Sequence, residues 1–417
     1  MTYHRLLCFI CLLSATPAAA QWQAGQVYRE YHWVTPADHN EAFLRVGGRY
    51  GYAAQPGKLP ADLQDGADLL LPHDLDLTGA TRAEVTVEKV MSHEDSRNLT
   101  LSVNGYAPIA IGEPTSIPDT ATEYMYHTDL TVPVPLTQLG TGRGVRFRLA
   151  LDSTQRWGWP QNVLYDIAFR IYYAPASAPE NDVRVVVDGP VDSLQRLTVV
   201  NASGARAVDY VFVGRGVDWS GRGTPQRTHW QTHRGAPHHT PGSSRDGATG
   251  FAVTWDTGWL PDQDDFGVQA RVLRADGKYV VTPVTAGLRL APRPYRVVLA
   301  NSGPAPRNWV TRSGEFQQTI SLPEPVATAE AYRLHWTSWS PCYSNGLFLN
   351  GHLVWSRTDD CYVYATHAPT YTGHALPYLQ DGKNTVRTAL TPLMRGQMVH
   401  GMEVQWPGVQ LLVRYGR

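Results

Sequence analysis

Four imidazoles fall within eleven residues, at His229, His233, His238 and His239 of the run HWQTHRGAPHH. Neutral imidazole is the commonest nitrogen ligand for zinc or copper, so the run is a candidate site for a His-bound divalent metal. His229 and His233 would share a helical face, but Gly223, Pro225, Gly235, Pro237 and Pro241 mark a loop. A loop using its His side chains for hydrogen bonds, or for contact with a glycan or partner, is the competing reading. A second candidate set is catalytic: His93, Glu94 and Asp95 precede a strand that begins at Leu99, and His127 follows with Glu123, Tyr124 and Asp129 around it. Imidazoles and carboxylates beside a tyrosine can abstract or donate protons, as polysaccharide cleavage requires. The same residues can also do no more than cap strands at loop tips.

A third set is aromatic. Trp336, Trp339, Tyr343, Trp355, Tyr362, Tyr364 and Tyr371 crowd the region between residues 336 and 371. Flat apolar faces rimmed by polar groups are what the C–H face of a sugar ring stacks on, so Trp336, Trp339, Tyr343, Trp355, Tyr364 and Tyr371 are candidate ligand-binding residues; ordinary sandwich core is the alternative. Trp336 and Trp339 stand three apart, an odd spacing that puts them on opposite faces of a strand. One of them is therefore expected to be exposed or on a bend.

The elements that must position these residues are strands. No stretch sustains a 3.6-residue period, whereas alternation of apolar and polar residues recurs throughout, and 37 Gly and 30 Pro punctuate it. Asn350-Gly351 joins two short apolar runs, and Asn104-Gly105 does the same within LTLSVNGYAPI; this pair suits the positive φ angles of a tight hairpin. GRGVRFRLAL, ending at Leu151, parallels DGKNTVRTAL, ending at Leu390, and alternating strands around Ile171 and Val413 close both regions. Offsets of 246 (Asn104 to Asn350), 239 (Leu151 to Leu390) and 242 (Ile171 to Val413) predict two copies of one β-sandwich. Between them, alternating runs at Val183–Val187, Leu197–Val199, Val208–Phe212, Phe251–Trp255 and Val268–Val272 predict an immunoglobulin-like sandwich. The expected organisation is all-β: a signal peptide over 1–20, a jelly-roll-like sandwich over 21–174, the immunoglobulin-like sandwich over 180–290 and a second jelly roll over 295–417.

Length and charge narrow the function. A chain of 417 residues with net charge −1 and no charge block does not point to nucleic acid or anionic membranes. Arg5, the apolar run Leu6–Leu13 and Ala18-Ala19-Ala20 form a secretory signal too short to span a bilayer. A secreted protein is expected, without a membrane span. Cys8 and Cys11 leave with the signal, so Cys342 and Cys361 are expected to form one disulfide, two buried thiols being the alternative. Asn98 and Asn201 begin glycosylation sequons. Asp262, Asp264 and Asp265 are acidic enough for calcium but follow Pro261 as a turn would. The sequence holds no G-x-S-x-G, H-E-x-x-H, phosphate-loop or EF-hand pattern.

The stretch Leu349-Asn350-Gly351, followed by aromatic residues and Leu379-x-x-Gly382-Lys383-Asn384-Thr385-Val386, resembles the galactose-binding-like jelly-roll modules attached to many glycoside hydrolases and lyases. The first sandwich is a looser echo. The resemblance implies two packed antiparallel sheets, a loop-built glycan site and, in many members, a structural calcium ion; no carboxylate cluster here matches that calcium site. A secreted carbohydrate-binding protein, with a polysaccharide or glycoconjugate as partner, is the expectation. A glycoside hydrolase or polysaccharide lyase with an interdomain site, and a structural adhesion protein, are the alternatives.

Overall fold

The computed structural model describes residues 22–35, 44–46, 52–54, 59–66, 68–92, 98–115, 117–118, 124–140, 144–151, 162–175, 182–188, 193–217 and 231–417. The chain is all-β, built from antiparallel sheets, and no helix among the described residues is long and apolar enough to cross a membrane. In the first sandwich, strands Val27–Val34, Asn162–Tyr172, Arg82–Ser92 and Thr128–Val134 lie side by side. Leu99–Val103 and Arg146–Leu151 pair in the facing five-stranded sheet. Alternation decides what goes inside: Leu99, Leu101, Val103, Phe147 and Leu149 meet Val85, Val87, Ile167, Phe169 and Ile171 in one core.

The last sandwich repeats this plan. Tyr295–Leu299, Gln410–Gly416 and Ala329–Trp339 stand in the order of their counterparts, with Tyr364–His367 and Thr370–Thr372 at the far edge. Phe316–Ser321, Lys383–Thr388, Leu347–Leu349 and His352–Trp355 form the facing sheet. The two Asn-Gly turns show the likeness at atomic detail. Both residues of each have positive φ (48° and 76° at Asn104-Gly105, 49° and 88° at Asn350-Gly351), the geometry that splays neither strand of a twisted hairpin. Asn104 accepts from the Arg146 backbone N–H at 2.9 Å and donates to the Gln138 carbonyl at 2.9 Å. Asn350 accepts from the Thr385 N–H at 2.8 Å and donates to the Tyr378 carbonyl at 2.7 Å.

Between them, Arg184–Val187, Leu194–Val200 and Val253–Asp256 form a three-stranded sheet opposite Ala205–Val213 and Phe266–Arg274, around Leu197, Tyr210, Trp255 and Val268. This sandwich is not a detached spacer. Tyr279–Val281 pairs with Val27–Val34, so one sheet of eleven strands runs from the first sandwich into the middle one. A buried ionic ladder crosses the join: Asp209 to Arg271 at 2.7 Å, Arg271 to Glu30 at 2.6 Å, Glu30 to Arg170 at 2.6 Å and Arg170 to Glu84 at 2.7 Å.

Candidate functional site between the sandwiches

The pleat that sends Val85 and Val87 into the first core sends Glu84, Thr86 and Glu88 to the other face of the same strand. Glu88 stands opposite Asp129 on the neighbouring strand, and Thr86 opposite Thr131. Asp166, Glu30 and His32 share this face. A polar sheet face ordinarily meets water, yet Glu88 is fully buried and Asp166 is 1% exposed. The cover is a hairpin from the His-rich run, Gln231–His233 paired with Ala236–His238. Its turn residues Arg234 and Gly235 have φ of 50° and 76°. A Cβ on Gly235 would meet Val34 Cγ2 at 3.2 Å and the His32 ring at 3.4 Å. Glycine is thus what lets the hairpin press onto the sheet.

Under that hairpin, Glu88 Oε1 accepts from His233 Nδ1 at 2.6 Å, and Oε2 accepts from the Arg234 backbone N–H at 2.9 Å. His127 Nε2 lies 3.3 Å from Glu88 Oε1, and its Nδ1 is 2.9 Å from the Tyr364 hydroxyl of the last sandwich. Asp129 accepts from the Thr232 backbone N–H at 3.0 Å and the Thr232 hydroxyl at 3.2 Å. His238 Nε2 reaches Thr366 Oγ1 at 3.3 Å. The Arg234 guanidinium lies 4.2 Å over the Tyr165 ring. Tyr165 in turn donates to the Tyr362 carbonyl at 3.2 Å and accepts from Trp339 Nε1 at 3.4 Å. All three sandwiches therefore contribute, with Val90, Met125, Val163, Tyr165, Trp339 and Tyr364 forming the apolar seam.

Two carboxyl groups on facing strands cannot both ionise cheaply in such a place. Burial pushes Glu88 up, but hydrogen bonds from His127 and His233 outweigh it and bring the group down to about 2. Asp129 goes the other way: burial, aided by the Glu88 charge, lifts it to about 7 despite the pull of His127 and the Thr232 N–H. Nearby, burial works against the charged form of His32, yet Asp166 holds it at about 10. Burial raises the Tyr364 phenol far above its ordinary range, so it stays a hydroxyl donor. His233 holds Nδ1 against Glu88, and its side chain is 21% exposed. The arrangement sets a carboxyl held low opposite one held high on the neighbouring strand.

Of the catalytic candidates, His127 is in this site, with Asp129 beside it; His93, Glu94, Asp95 and Glu123 lie outside the described residues. Of the metal candidates, His233 and His238 converge, His239 follows in a left-handed conformation with φ 56°, and His229 lies outside the described residues. Among the described residues no three His, Cys, Asp or Glu side chains form a metal-holding group. The imidazoles of His233 and His127 are turned to Glu88 instead. Asp262 is engaged by Arg293 and Arg417, which leaves the calcium reading of that turn without support.

The aromatic set needs correction. Both Trp336 and Trp339 are interior, at 1% and 0% exposure. They do point oppositely, as the odd spacing requires, but both faces are covered: Trp336 lies in the core of the last sandwich and Trp339 in the interdomain seam. Tyr343 is buried too and bonds the Tyr362 hydroxyl at 3.0 Å. Trp355 and Tyr371 are half-buried, Trp355 against Trp336 and His367 and Tyr371 stacked on Tyr332. Tyr364 belongs to the interdomain site, with its hydroxyl 2.9 Å from His127 Nδ1. Cys342 and Cys361 are disulfide-bonded across 19 residues, bracketing the approach to Tyr364.

Glu88, His32, Asp166 and Tyr165 were not legible as site residues. The available signal was the alternation of Glu84, Glu88 with Val85, Val87, which reads equally well as a solvated strand face.

No protein-family model and no curated protein matches the chain. Among solved structures, a glycoside hydrolase of family 86 in complex with neoagarooctaose is similar at TM-score 0.23 and 11% identity, over 56% of this chain and 34% of that one. A family 86 β-porphyranase from the human gut bacterium Bacteroides plebeius is similar at TM-score 0.19 and 10% identity, over 61% and 38%. The chain thus spans about a third of the length of these hydrolases. A peptide-N(4)-(N-acetyl-β-D-glucosaminyl)asparagine amidase is similar at TM-score 0.19 and 9% identity, over 90% and 95%. TM-scores of this size identify neither a fold family nor a chemistry for the chain.

Proposed function

We propose that this protein is a glycan-cleaving enzyme whose general acid and base sit where the three sandwiches meet. The observation that carries the reading is the facing pair Glu88 and Asp129, one carboxyl driven to about 2 and the other to about 7 within one buried site. Environments that separate two neighbouring carboxyl groups in this way assign an acid and a base. In the proposed reaction Asp129 donates its proton to the leaving oxygen. His233, held in one tautomer by Glu88, draws a proton from the attacking water through Nε2. Tyr364 and His127 fix Glu88 from behind. A glycan as substrate is supported by the resemblance of the last sandwich to galactose-binding-like jelly rolls. The non-catalytic binder loses two of its candidate stacking rings, since Trp336 and Trp339 are interior.

The test is incubation of the purified chain with a polysaccharide panel, scoring reducing ends and unsaturated ends. Reducing ends are expected, with Glu88→Gln lowering their release by about 10²–10⁴-fold while the circular dichroism stays native. Activity should fall as pH rises through about 7, because Asp129 then loses the proton it must donate. Full activity in Glu88→Gln, or no product from any substrate, would end the proposal; unsaturated ends would move it from hydrolysis to elimination.

A further inference from the structure

A groove of about 830 Å³ lies between the middle and last sandwiches, apart from the acid–base site. Arg215 and Asp262 stand on one side; Asn301, Trp406, Pro407 and Gln410 stand on the other. We infer that it is a second glycan-docking site, holding a stretch of oligosaccharide away from the point of cleavage; this rests on the carbohydrate reading above.

Three features favour that occupant. Trp406 is half-buried, its ring braced edge-on against Tyr124 at 4.6 Å, so an indole is held rigidly at the groove while part of it meets solvent. A fixed indole beside amide and guanidinium donors is the chemistry that takes a sugar ring by its C–H face and its hydroxyls. The charged groups are already engaged: Arg296 pairs with Glu324, Asp262 with Arg293 and Arg417, and Arg215 donates to the Asp262 carbonyl at 3.0 Å. A hydroxyl-rich chain, which needs hydrogen-bond partners rather than counter-charges, fits such a lining. Finally, one stretch of backbone ties the groove to the acid–base site. The Trp406 N–H donates to the Met125 carbonyl at 2.6 Å, Met125 belongs to the interdomain seam, and His127 follows two residues later. A chain docked on Trp406 is therefore anchored to the same segment that carries His127.

Affinity electrophoresis of the full chain through gels containing soluble xylan, galactan or pectin tests this, with product release scored on the same samples. At least one polysaccharide should retard the protein. Trp406→Ala should weaken that retardation at least tenfold, and Asn301→Ala, an exposed change that leaves the core intact, should weaken it measurably. Leu353→Ser, on an exposed part of the last sandwich, should leave it unchanged. Retardation undiminished in both Trp406→Ala and Asn301→Ala, or no retardation in any gel, overturns the groove. Retardation that depends on Trp406 without any product keeps the groove and sinks the enzyme. Product without retardation keeps the enzyme and sinks the groove.

Discussion

The first and last sandwiches are the same construction with opposite outer faces. Arg82–Ser92 and Ala329–Trp339 are both strands of eleven residues, and Glu88 and His335 each occupy the seventh place. On the inner side the two agree, Val85 and Val87 matching Tyr332 and Leu334 as core residues. On the outer side the first copy buries Glu84, Glu88, Asp166, Arg170 and the side chain of Glu30. The last copy packs Val297, Ala331 and Leu412 around the middle sandwich's Trp259. Arg333 and Arg414 flank that indole at 4.6 and 4.2 Å. The second copy thus docks around an indole flanked by two guanidinium groups, where the first buries a ladder of carboxylates and arginines. Taking charges out of water is costly. The proposed chemistry is placed on that costlier face.

The comparison can be broken by exchange. His335→Gln, at the place of Glu88, should leave product release unchanged, whereas Glu88→Gln abolishes nearly all of it. Equal losses at both positions would show that the outer faces do not differ in role. Next in size is Glu30→Ala, which leaves Arg170 and Arg271 buried without their shared partner. A loss of about 3–5 kcal/mol in urea unfolding is expected, and a change under about 1 kcal/mol would mean that the ladder contributes nothing. The last copy also carries a staple the first lacks, as no cysteine lies between residues 12 and 341. Reducing Cys342–Cys361 should cost about 3 kcal/mol by the same measurement.

The smallest effect is a pH slope. Glu403 is fully buried beside Trp339, and burial lifts its carboxyl to about 8 even with Arg312 nearby. The folded protein thus binds this proton more tightly than the unfolded chain. Its stabilisation is complete below about 4.5 and is lost as pH rises toward about 8. The slope from this group is at most about 1.4 kcal/mol per pH unit. Glu403→Gln should flatten that part of the stability profile, and an unaltered slope would assign it to other groups.

The inner architecture was legible because it is written in local terms. Period-two alternation sorts Leu101 from Ser102 and Leu349 from Asn350, and Asn-Gly turns fix the register of the hairpins without help from distant residues. The repeat was legible for the same reason, and the expected Cys342–Cys361 disulfide is present. The site was legible only in fragments. His127, His233 and His238 stood out by residue type, but a strand alternating Glu with Val looks the same whether its polar face meets water or another sandwich. Trp336 and Trp339 show this limit from the other side: their spacing told that they point apart, and nothing local told that both directions are covered.

The sequence by itself settled the strands, their inward faces and the turns, because sterics and periodicity act between neighbours along the chain. Tertiary structure alone decided which outward faces are dry, since that depends on a hairpin more than a hundred residues away folding over Glu88. The His233 contact that helps hold Glu88 down and the burial that lifts Asp129 come into being together, when that cover closes.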